Sequence, residues 1–170
     1  MAESEPDTYI DRPNRRKASS KATKAIVALL LLVSAAIMLI IWLGGMDALE
    51  GAIPLHLIYI VLYVVMAFLV MRWNRGVLPL AAALAIVLLI FAAVSGPAWF
   101  DRDKAGFTDP ALGADLLGLL SLILVPIQIL LIAFAMRGFS QAWNVEVERT
   151  RDDGDYDRSG GGHTPAPAAA

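Results

Sequence analysis

The stretch "VLPLAAALAIVLLIFAAVS", Val77 to Ser95, contains no Lys, Arg, Asp or Glu. Crossing roughly 30 Å of hydrocarbon at about 1.5 Å per helical residue takes about 20 residues, which this stretch nearly matches. Working outward, three more runs are equally free of charge: Ala25 to Gly45, Ile53 to Met71 and Leu116 to Met136. With 58% of 170 residues apolar, too few polar residues remain to cover four such segments in water. A soluble domain holds roughly 45 to 50%. The expectation is an all-α integral membrane protein with four transmembrane helices at 25–45, 53–71, 77–95 and 116–136, in an up-down bundle.

Basic residues set the expected orientation, because short flanking segments rich in Lys and Arg stay cytoplasmic. Arg12, Arg15, Arg16, Lys17, Lys21 and Lys24 precede the first span, Arg72 and Arg75 lie in "MRWNRG", and Arg137 follows the fourth span. The opposite connectors carry only Arg102 and Lys104. Both termini are therefore expected in the cytoplasm. The first run exceeds a signal-peptide core and lacks a small-x-small site after it, so it reads as an uncleaved helix. The basic bias, and the lack of any Asn-x-Ser/Thr sequon, fit a plasma membrane of the bacterial inner-membrane type. The basic N-terminal cluster suits anionic lipid head groups, and without interleaved aromatics it gives no reason to expect nucleic acid.

Residues 1–24 and 149–170 are polar, with a charged, then Gly-rich, then Pro/Ala-rich C-terminal tail. Such composition buries too little apolar area to offset ordering entropy, so both are expected to be disordered. Between the tail and the fourth span, Phe139, Trp143 and Val147 recur every four residues. As a helix they would lay an apolar stripe on the interface over 137–148; "WNVEVE" also permits an extended reading.

Within the spans, polar groups are few. Pro126, near the middle of the fourth, removes a backbone donor and predicts a kink, with Ser121 and Gln128 turned toward other helices. His56, Tyr59 and Tyr63 share one side of the second span, as an aromatic edge at the outer boundary or as part of a quinone or lipid pocket. Small residues four apart, Ala81 with Ala85, Ala92 with Gly96 and Ala114 with Gly118, mark close helix approach within the bundle or against a partner.

The outer connector, 96–115, holds "DRDKAGFTD", with Asp101, Asp103, Gly106 and Asp109 spaced like positions one, three, six and nine of a calcium loop. Ala105 and Leu112 stand where further ligands are required, so no metal is expected. The sequence holds no cysteine, which removes thiolate chemistry. No cofactor is expected either, although His56 could supply one ligand of a site shared with a partner. Without an acid, base or nucleophile constellation at depth, the chain is not expected to be an enzyme.

The leading expectation is a non-catalytic membrane subunit or scaffold, surrounded by lipid and packed against other membrane subunits or further copies of itself. Its partner-facing residues would be Trp99, Phe100, Phe107, Ala81, Ala85 and Gly118. The alternative is a small oligomeric transporter, channel or lipid- or quinone-handling protein, with His56, Tyr63, Ser121 and Gln128 along its path.

Overall fold

Side chains without polar groups offer the backbone nothing to bond to, so apolar runs of this length close their own hydrogen bonds as helices. The computed structural model describes residues 8–102 and 110–150. Its long helices are α2 (Ala18–Gly45), α3 (Ile53–Met71), α4 (Val77–Phe100) and α5 (Ala114–Ser140), preceded by strand β1 (Thr8–Asp11) and the single turn α1 (Pro13–Arg16). Strand β2 (Val147–Thr150) follows them. All four long helices are long and apolar enough to cross a membrane. Helices α3 and α4 start within "GAIPL" (51–55) and "GVLPL" (76–80), with Pro54 and Pro79 in their first turns, where a missing N–H costs no intrahelical bond.

Helix α2 packs on α3 and on α5, and α5 packs on α4. The α4–α5 pairing is the closest. A Cβ added at Gly118 would lie 2.9 Å from the Phe100 ring and 3.1 Å from the Gly96 carbonyl oxygen, and one added at Gly138 would lie 3.1 Å from Leu78. These contacts make the two helices antiparallel, and the same register sets Ala85 level with Leu131 and Ala81 level with Ala135, all four buried. The small-residue face of α4 is thus consumed by α5 inside the chain. By contrast α3 and α4 touch little, although only residues 72–76 join them.

Large apolar side chains cover the outside of every long helix. Leu29, Val61, Ile90 and Val94 are 57 to 70% exposed, and Ile58, Phe68, Leu119 and Ile129 are exposed beside them. Soluble monomers rarely expose a contiguous apolar surface of this kind.

Residues 8–24, expected to be disordered, are ordered because they borrow a core from the other end of the chain. Strand β1 pairs antiparallel with β2, Ile10 opposite Glu148. Arg12 pairs with Glu146, and the nearly buried Asp11 carboxylate accepts from Arg16 and meets Arg149 at 3.5 Å. Asn14 Nδ2 donates to the Ala142 carbonyl and Arg15 Nε to the Trp143 carbonyl, both at 3.0 Å.

Trp143 is wholly buried and meets Trp73 edge-on at 5.3 Å, while Lys24 sits 4.1 Å over the Trp73 ring. The 137–148 stripe therefore does not form. Helix α5 stops at Ser140, Trp143 turns inward, and Phe139 and Val147 stay partly exposed. Trp73 and Ala142 follow their helices with φ of 63° and 49°, a left-handed position that usually takes glycine. Packing and hydrogen bonds to Trp73, Asn14 and Arg15 hold both turns in place. The tail beyond residue 150 lies outside the described residues.

Candidate functional site: a lateral cavity between α3 and α4

Because α3 leans on α2 and α4 on α5, the two leave a cavity of about 210 Å³ between them. Leu55, His56 and Tyr59 line it from α3, at spacings of one and three that fall on one helical side. From α4 come Leu88, Phe91, Ala92, Ser95 and Trp99, again one side. Met38 and Ile41 of α2 and Ser121 and Leu124 of α5 form its floor. Leu88, Ala92, Tyr59 and Leu124 are buried, whereas Leu55 and Phe91 are 40% and 51% exposed. Those two, with the exposed Ser95, form a rim. The opening therefore faces sideways, continuous with the apolar outer surface.

Two polar side chains of the lining bond to carbonyls of their own segments. His56 Nδ1 is 3.0 Å from the Ala52 carbonyl oxygen, which can only accept, so Nδ1 carries the proton. Ser121 Oγ donates to the Leu117 carbonyl at 2.8 Å. Among the described residues no charged side chain lines the cavity.

Beneath the floor a buried hydrogen-bond chain ties three helices together. Tyr63 Oη donates to Gln128 Oε1 at 2.9 Å, Gln128 Nε2 donates to Ser34 Oγ at 2.9 Å, and Ser34 Oγ donates to the Leu30 carbonyl at 2.8 Å. All three side chains are inaccessible to solvent. Helix α5 continues through Pro126, and Gln128 is satisfied by its neighbours.

The structure thus divides the residues expected along one path. His56 and Ser121 line the cavity, while Tyr63 and Gln128 are sealed below it. The residues expected to face a partner are redistributed more sharply. Trp99 does not project from a loop. It sits on the last turn of α4, 5% exposed, with its ring against Gly45 and Arg102 stacked 4.9 Å away. Helix α4 reaches that far because it runs through Pro97, held by Leu122 against Gly96. Phe100 is 45% exposed but rests an edge on Gly118. Ala81 and Ala85 face α5 and Gly118 faces α4, and Phe107 lies outside the described residues, as do Asp103, Gly106 and Asp109 of the calcium-like spacing.

Leu112, one of the two residues that fail that spacing, packs on Gly44 and donates its N–H to the Gly44 carbonyl at 2.9 Å. Among the described residues no cluster of His, Asp and Glu could hold a metal ion.

Sequence reasoning missed Ser34, the third member of the buried chain. A signal was present, since Ser34 is the only Ser or Thr between Ala25 and Gly45 and lies at mid-span like Gln128. It also missed the cavity face of α4, where Ala92 was read only as a packing residue. No protein-family model matches the chain, and no curated protein or solved structure is significantly similar to it.

Proposed function

We propose that this chain is a multi-pass plasma-membrane protein, an up-down bundle with both termini cytoplasmic, that handles a lipid-like ligand in the cavity between α3 and α4. The exposed apolar belt supports lipid as the surrounding solvent. The sideways opening of the cavity into that belt carries the functional reading, since what reaches the cavity first is then a lipid tail. Its volume is below the roughly 300 to 1,000 Å³ typical of small-molecule sites, which suits a single chain better than a bulky ring system. No catalytic role is proposed for any residue.

The subunit or scaffold reading loses two of its supports, because the small residues and Trp99 are used inside the chain. It keeps the lack of charge within the spans, and the exposed side chains of α3 leave room for a neighbour. Native mass spectrometry of the full chain purified in mild detergent separates the two. The lipid-handling reading expects retained lipid, and expects that lipid to fall sharply in Ser95→Trp, which blocks the rim at an exposed position. Co-purifying polypeptides, with no retained lipid and no effect of the substitution, would favour the subunit.

A further inference from the structure

Resting on the lipid-handling reading, we infer that the cavity selects a neutral lipid with a terminal hydroxyl, a long-chain alcohol, whose O–H donates to His56 Nε2. Among the described residues no cation lines the cavity to meet a carboxylate or phosphate, and no carboxylate lines it to meet an ammonium group, so a charged head group would be desolvated without a partner from them. A neutral head remains, and the choice is between a donor and an acceptor.

Two lining groups decide that choice. The Ala52 carbonyl takes the His56 Nδ1 proton, so in the neutral ring Nε2 is a bare acceptor, and it has no hydrogen-bond partner among the described residues. Ser121 spends its only proton on the Leu117 carbonyl, so its oxygen too can only accept. Tyr59 and Ser95 hydroxyls can turn either way, and the Trp99 indole is a donor. A ligand hydroxyl satisfies this mixed set, giving its proton to an acceptor-only atom and receiving one from Trp99 or a side-chain hydroxyl. An ester or ether head offers only acceptors and leaves Nε2 unmatched.

The geometry also fits a tail. Beside the polar groups, Leu88, Phe91 and Leu124 continue the wall as hydrocarbon. One chain of the surrounding bilayer can thread past Leu55 and Phe91 with its head held between α3 and α4.

The test uses the full chain in lipid nanodiscs and three photoreactive probes of equal length: a diazirine-bearing alkan-1-ol, its methyl ether and its carboxylic acid. Labelled peptides are mapped by mass spectrometry. The alcohol should label the cavity residues of α3 and α4 roughly five- to tenfold more than either analogue, the scale of one net hydrogen bond. His56→Leu should bring alcohol labelling down to the methyl ether's level and leave the ether's labelling unchanged, which also reports that the cavity survives the substitution.

Equal labelling by alcohol and ether would overturn the hydroxyl assignment while leaving lipid handling intact. Preferential labelling by the acid would overturn it as well. Failure of all three probes to label the cavity would overturn both this inference and the reading beneath it.

Discussion

At the scale of residues, Gln128 shows how a polar side chain survives among apolar ones. An amide facing hydrocarbon unpaired would cost several kcal/mol in transfer terms, and both of its polar atoms are engaged by side chains from other helices. The bonds fix which sides of α2, α3 and α5 meet, because Ser34, Gln128 and Tyr63 must lie at one level. Their energetic contribution is nonetheless small, since the separated helices in a membrane also find partners. A double-mutant cycle combining Tyr63→Phe with Gln128→Leu should give a coupling of about 0.6 kcal/mol and not above about 1.7 kcal/mol, measured by reversible unfolding in mixed micelles. A coupling indistinguishable from zero would show that the bond does not persist in the folded protein.

At the scale of elements, the α4–α5 pair depends on the absence of side chains at its crossing. The ring of Phe100 can shift away from a new methyl at Gly118, but the Gly96 carbonyl belongs to a helix backbone and cannot move alone. Gly118→Ala should destabilise by about 1 to 3 kcal/mol, whereas Gly51→Ala, whose Cβ meets nothing within 4 Å, should be near neutral. Thermal unfolding in detergent compares the two directly, and equal effects would mean the helices do not cross as closely as described.

The long helices and the inward turn of Gln128 were legible because charge segregation and isolated polar residues are strong signals in apolar runs. Trp99 was not, since Gly96-Pro97 reads as a helix end. Only the packing of Leu122 on Gly96 and of Trp99 on Gly45 carries the helix on from the expected end at Ser95 to Phe100. The ordering of residues 8–24 was likewise illegible, because β1 buries no apolar side chain, only Asp11, and is held by β2 from more than 120 residues away in sequence.

At the scale of the molecule, the two ends of the bundle differ in charge. Lys17, Lys21, Lys24, Arg72, Arg75 and Arg137 gather at the end that carries both strands, and Asp47, Asp101 and Asp115 lie at the other with Arg102. If the apolar belt sits in a membrane, retention of basic segments puts the strand-bearing end in the cytoplasm, where those cations also meet anionic head groups. The cavity, bounded by Ala52, His56 and Trp99, then opens in the outer half of the bilayer, so its ligand would enter from that leaflet.

The chain has no native cysteine, so single cysteines report sidedness without background. Asp47→Cys and Ala111→Cys, both at exposed positions, should react with a membrane-impermeant maleimide on intact spheroplasts. Lys17→Cys and Ser140→Cys, also exposed, should react only after permeabilisation. The reverse pattern would place the cavity in the inner leaflet, and a pattern that splits Asp47 from Ala111 would rule out an even number of crossings between them and with it the four-span bundle.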